Sequence, residues 1–151
     1  MDILSRYSLE GRVAVVTGAG RGIGQGIAED FAKAGAKVIL AARRTEEIKQ
    51  VEQRIRNAGG TAIAVTADVT KSRDLDNLGS TAIKEYGKLT DWVNNAGGSP
   101  LRMPAKELPR DEWHKTIALN LTSIYEGCLT AERYMEKGSI INITSGAGTG
   151  P

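Results

Sequence analysis

The 151-residue chain carries one cysteine, one histidine and one phenylalanine, and aromatic residues make up only 5 % of it. The single cysteine, Cys128, excludes an intrachain disulfide and a cysteine-rich metal cluster. The single histidine, His114, sits in "DEWHKT" on an expected helix. No Ser-His-acid arrangement stands at a recognisable spacing, so a serine-hydrolase triad is not supported and His114 reads as an ordinary surface or half-buried side chain. No metal site is expected. No apolar run approaches the roughly 20 residues of a membrane span. The opening stretch, 1–12, lacks the apolar core of a signal peptide, so a cytoplasmic protein is expected. Charge of one sign does not accumulate either. The 20 basic and 18 acidic residues are interleaved and leave a net +2, which argues against nucleic acid or a membrane surface as partner.

Glycine is what the chain has in plenty, 18 residues, and the glycines fall where apolar runs end. Val13 to Thr17 is a β-branched run that meets a glycine cluster. Ile23, Ile27, Phe31 and Ala34 then share one helical face, with Gly35 as the stop. Residues 37–42 form the next apolar run. Ile48, Val51 and Ile55 mark a second helix, ended by "NAGG". "TAIAVTADV" reads as a third strand, and Leu75, Leu78, Ala82 and Tyr86 as a third helix stopped by Gly87. "TDWVNNAGG" is a fourth strand. Pro109 is placed in the first turn of a further helix, bent, that runs to about Lys137. "GSIINITS" is the fifth strand. Strict alternation of strand and helix predicts an α/β fold: a doubly wound parallel sheet, the Rossmann fold, in a single domain over 1–151. The loop over 97–109 follows the fourth strand and so lies at the carboxyl edge, where open α/β sheets bind ligands.

"TGAGRGIG", 17–24, joins the first strand to the first helix. Glycines there permit a tight turn and let a pyrophosphate approach the backbone. The helix that follows offers its free N–H groups and the positive end of its dipole to the anion. A kinase-type P-loop is disfavoured, because no Gly-Lys-Ser/Thr follows. The spacing Thr-Gly-x-x-x-Gly-x-Gly resembles the fingerprint of the short-chain dehydrogenase/reductase family. The other dinucleotide fingerprint fits less well, since Ile23 stands where its last glycine is needed. "ADV" at 67–69, "NNAG" at 94–97, Asn120 in "ALNLTS" and "SIINITS" resemble further landmarks of the family in the right order, so the resemblance covers essentially the whole chain.

The resemblance implies that Gly18, Arg21, Gly22, Ile23, Gly24, Arg43, Asp68, Val69, Asn95, Ala96 and Gly97 bind the cofactor. It makes Asn120 the asparagine that keeps a water in a proton relay and Ser145 the serine that orients the substrate oxygen. An acidic residue at the end of the second strand would select NAD. Ala42 stands there, followed by Arg43 and Arg44, and arginine suits the extra phosphate of NADP. NADP is therefore expected over NAD, with Arg43 the leading contact and Arg21 the second. The family's reaction is hydride transfer between nicotinamide and a ketone or secondary alcohol, the proton moving through a tyrosine whose pKa a lysine four residues on lowers. None of Tyr7, Tyr86, Tyr125 and Tyr134 has lysine four residues later. The chain therefore reads as the cofactor half of such an enzyme, cut after the fifth strand, inactive alone, with Tyr-x-x-x-Lys expected past Pro151. The loop "GGSPLRMP" resembles that of bacterial hydroxysteroid dehydrogenases, while 3-oxoacyl reductases and sugar-alcohol dehydrogenases stay open. A homodimer or homotetramer is implied, with Tyr125, Cys128 and Leu129 facing the partner or the core. A non-catalytic NADP-binding protein is one alternative. Methyl transfer from S-adenosylmethionine is another, but it would leave Asn120 and Ser145 unexplained.

Overall fold

A computed structural model describes residues 7–98 and 103–145. Five strands form one sheet in the order β3-β2-β1-β4-β5, and all four pairings are parallel. The strands are β1 (Val13–Thr17), β2 (Lys37–Ala42), β3 (Thr61–Thr66), β4 (Asp91–Asn94) and β5 (Ser139–Asn142). Helices α1 (Gly22–Lys33), α2 (Thr45–Asn57) and α3 (Ser72–Tyr86) make the first crossovers, and α4 (Arg110–Ile117) and α5 (Ser123–Tyr134) the last. This is the doubly wound parallel sheet that the alternation of elements predicts.

β1 is buried at all five positions because both its faces are covered. Val13 and Val15 join Ile39, Trp92, Leu75 and Leu78 under α3 and α5. Val16 joins Val38, Leu40, Val93, Ile48 and Val51 under α1 and α2. The seam between β1 and β4 is also tied by side chains. Arg12 Nε donates to Asp91 Oδ2 at 2.8 Å, and Thr90 Oγ1 accepts the Val13 N–H at 2.9 Å.

Four details depart from the sequence reading. The buried stripe of α1 is Gly24, Ala28 and Ala32, while Ile27 and Phe31 pack only partly and Ile23 is 67 % exposed. Small side chains bring the helix axis close to the sheet, so the large ones are displaced to its flanks. β3 ends at Thr66 and not at Val69. The Ala67 N–H still bonds Ala42 O, but Asp68 then accepts from both the Thr70 N–H and the Thr70 hydroxyl and turns the chain. Pro109 stands one residue before α4, as its N-cap. The long helix ends at Tyr134, and its bend is a π-helical turn, Ala118–Thr122, between α4 and α5.

β5 pairs only with β4 among the described residues, and Ile140 and Ile141 are exposed there. On α5, Tyr125 and Leu129 are exposed and Cys128 is half-buried. No described helix is long and apolar enough to cross a membrane. Residues 99–102 of the loop after β4, and the stretch 146–151, lie outside the described residues, as does the expected path from Ser145 toward the following loop.

Candidate functional site: a cleft at the sheet's switch point

β1 leads to α1 on one side of the sheet, and its neighbour β4 leads away on the other. The two loops that leave them diverge and open a cleft of about 750 Å³ at the carboxyl ends of the strands. All eleven residues expected to bind a cofactor line this cleft. Gly18, Arg21, Gly22, Ile23 and Gly24 come from the first loop and the start of α1. Arg43 comes from the end of β2, Asp68 and Val69 from the turn after β3, and Asn95, Ala96 and Gly97 from the loop after β4. Gly20, Ala42, Arg44, Glu47, Ala67 and Leu119 also line it. A side pocket of about 350 Å³ adjoins it, sharing Arg43, Asp68 and Leu119 and adding Glu112 and Lys115.

The two glycine-loop positions that matter most differ in kind. Gly22 has φ +57° and open space where a side chain would point. It starts α1 on a left-handed residue and leaves the cleft floor bare. A methyl carbon on Gly24 would instead collide with the Gly18 carbonyl and the Asn95 amide. Here the missing side chain lets the helix press against the strand loops. The first turn of α1 has no capping side chain and no acidic residue. Its N–H groups therefore have no acidic partner within their own turn, which fits a bound phosphate. α2 contrasts with it: Glu46 and Glu47 occupy its first turn, and Arg44, its N-cap, pairs with Glu47 at 2.7 Å.

Thr17, which the sequence reading used only as the first letter of a motif, ties the two loops. Its buried hydroxyl accepts the N–H groups of Asn95 at 3.0 Å and Ala96 at 3.1 Å, and donates to Val93 O at 3.1 Å. Asn95 returns a side-chain bond to Thr17 O at 2.9 Å. Its amide is thus a brace across the cleft floor. Asn94 braces the sheet below: it accepts from Trp92 Nε1 at 2.7 Å and donates to Asn142 Oδ1 at 2.9 Å, linking β4 to β5.

Asn120 is the centre of the π turn. Its Oδ1 accepts the Gly98 N–H at 2.8 Å, and its Nδ2 donates to Gly98 O at 2.8 Å and Thr116 O at 2.9 Å. The side chain therefore ties the loop after β4 to the turn of helix that carries it. Ser145 is exposed, three residues beyond the last paired residue of β5. Neither Ser145 nor Asn120 is among the residues that line the cleft.

The rim carries charge of both signs, Arg21, Arg43 and Arg44 with Glu47 and Asp68. Burial pushes the Asp68 carboxyl upward, but the two Thr70 hydrogen bonds, with Lys71 and Arg43 nearby, outweigh it and leave the pKa below the usual range. Asp68 is thus a fixed acceptor beside a cation. Among the described residues Arg43 enters no ion pair, unlike Arg44. No group of three or more potential metal ligands occurs among the described residues.

Residues 12–151 match the family model described as short chain dehydrogenase, so the chain belongs to the short-chain dehydrogenase family. It is 36 % identical over 142 residues to the 3beta-hydroxysteroid dehydrogenase 1 of Eggerthella lenta, covering 91 % of this chain and 54 % of that protein. The fold superposes on a 7α-hydroxysteroid dehydrogenase solved with NADH and 7-oxo glycochenodeoxycholic acid. That match has TM-score 0.93 and 34 % identity, over 100 % of this chain and 60 % of the other. It also superposes on a metagenomic short-chain oxidoreductase in complex with NADP, with TM-score 0.88 and 38 % identity, over 95 % and 66 % of the two chains. The chain thus spans little more than half the length of the first of these relatives.

Proposed function

We propose that the chain is the NADP-binding part of a short-chain oxidoreductase that moves hydride between NADP(H) and a ketone or secondary alcohol. The observation that carries this reading is an uncapped helix start, with no acidic residue in its first turn, facing a cleft whose far rim holds Ala42 and Arg43, which among the described residues enters no ion pair. The pyrophosphate would sit on the N–H groups at the start of α1, over Gly18, Gly22 and Gly24, with Ile23 beside it. Asp68 and Val69 would hold the adenine, and Arg43, with Arg21 second, would hold the phosphate on the adenosine ribose. Asn95, Ala96 and Gly97 would form the wall toward the nicotinamide. Bound dinucleotide supplies the hydride donor or acceptor. Ser145 would orient the reacting oxygen, and Asn120 would support the proton path through the turn it holds open.

The two hydroxysteroid dehydrogenases among the relatives support a ring-borne ketone or secondary alcohol as substrate class. Exposed Leu121, Tyr125 and Leu129 on one side of α5 and its π turn support a homodimer or homotetramer, and a cytoplasmic setting fits the single cysteine.

Titration with NADPH and NADH, followed by nicotinamide fluorescence, tests the cofactor assignment. NADPH should bind more tightly. Arg43→Ala should weaken NADPH by roughly 1–3 kcal/mol, the value of a charged hydrogen bond, and leave NADH nearly unchanged. Equal affinities in the parent protein would sink the assignment.

A further inference from the structure

Gly18, Gly22 and Gly24 each have a place in the family's glycine spacing; Gly20 has none. A methyl carbon on Gly20 would stand 2.9 Å from the Glu47 Cβ and 3.0 Å from its Oε2. The space a side chain would take is thus filled by Glu47, which reaches the glycine loop from the first turn of α2. Its other oxygen, Oε1, holds Arg44 Nη1 at 2.7 Å. Gly20, Arg44 and Glu47 all line the cleft. The Arg44 side chain is 66 % exposed and that of Glu47 only 32 %, so the carboxylate is the seated member of the pair and the guanidinium the one open to solvent.

We propose that Glu47, seated against Gly20, is a specificity-determining residue: it keeps Arg44 occupied and so withholds a second guanidinium from a phosphate on the adenosine ribose. This rests on the NADP reading above. Arg43 and Arg44 leave β2 side by side, but among the described residues only Arg44 is in direct ion-pair contact with a carboxylate, Arg43 having Asp68 nearby without such a contact. To reach a ribose phosphate Arg44 must give up one charge-assisted bond for another, and the net gain is small. Release from Glu47 makes that gain available. A carboxylate in the first turn of a helix also stabilises the helix through its dipole. That effect alone would change melting but not the choice between two nucleotides.

The test uses residues 1–151 with NADPH and NADH as probes. Glu47→Gln should tighten NADPH about 3- to 10-fold, the range of one net hydrogen bond gained after the flexible Arg44 side chain is ordered, with NADH changed less than about twofold. In an Arg44→Ala background the same substitution should lose that gain. An unchanged NADPH-to-NADH ratio in Glu47→Gln overturns the inference. So does a gain that survives intact without Arg44, since the carboxylate would then act by direct repulsion. Arg43→Ala separates the two readings. If it selectively weakens NADPH while Glu47→Gln is inert, the NADP assignment stands and the role of Glu47 falls. If Arg43→Ala is silent while Glu47→Gln raises the ratio through Arg44, the role of Glu47 stands and the assignment to Arg43 falls.

Discussion

Replacing Thr17 by valine keeps the shape of the side chain and removes one oxygen. That oxygen is the meeting point of the two loops that form the cleft floor. It accepts from the Asn95 and Ala96 N–H groups and donates to Val93 O. The side chain is 1 % exposed, so water does not replace it without a rearrangement. An orphaned buried polar group costs roughly 1–3 kcal/mol. The Asn95 and Ala96 residues are half-buried, which puts each donor at the low end. Two such donors and one carbonyl give a loss of about 2–4 kcal/mol, a large share of the 5–15 kcal/mol typical of a domain. Thr17→Ser is the control. It keeps the hydroxyl and loses one methyl group, worth about 1 kcal/mol. Urea denaturation followed by circular dichroism should place the valine variant's midpoint well below that of the serine variant. Nucleotide affinity should drop in the same order, because the wall of Asn95, Ala96 and Gly97 loses two of its ties to β1 and keeps only the Asn95 amide bonds to the Thr17 and Gly18 carbonyls. Equal midpoints for the two variants would refute the claim that this hydroxyl joins the loops.

Gly22→Val should abolish nucleotide binding with little change in circular dichroism. A Cβ there meets no protein atom within 4 Å, Gly22 lines the cleft, and φ +57° adds local strain; binding that survives would reduce the loop to a turn. Asp68 has a pKa below its unfolded value, so it stabilises the fold above about pH 4 and that contribution is lost as pH falls through the lower folded value. The gap in melting temperature between Asp68→Asn and the parent should accordingly be constant near neutrality and close in acid; a gap unchanged at pH 3 would contradict the ordering of its causes. Residues 1–151 alone should show no NADPH-dependent ketone reduction, since no phenol and ammonium stand at the needed spacing. Measurable turnover would favour a proton donor other than tyrosine.

Strand positions were legible because β-branched runs at 13–17 and 37–42 end where the chain must turn. The cleft was legible because its lining clusters in four short segments, each at a strand's carboxyl end. The packing of α1 was not. Ala28 and Ala32 carry little hydrophobic signal, and the pattern drew attention to Ile23, which is exposed. The end of β3 was hidden because "TAIAVTADV" keeps its apolar alternation past the turn that Thr70 closes on Asp68. Asn120 was legible as a polar group in an apolar helix, but not its partner, Gly98, 22 residues away. Glu47 could be found only in three dimensions, since nothing near it in sequence says that it fills the space over Gly20.

The line along which β1 meets β4 is where the two halves of the sheet are sewn together, and only residues 14–16 pair there with 91–93. Arg12 and Asp91 bolt one end; Thr17 and Asn95 bolt the other. Shear between the halves is resisted at both ends, and a hinge has no free line to bend along. The floor of the cleft is therefore set by ties that exist without a ligand. A ligand that fits would spend little on ordering that floor. Discrimination then falls to the teeth on the rim, the side chains of Arg43 and Arg44 and the carboxylate of Glu47 that holds one of them.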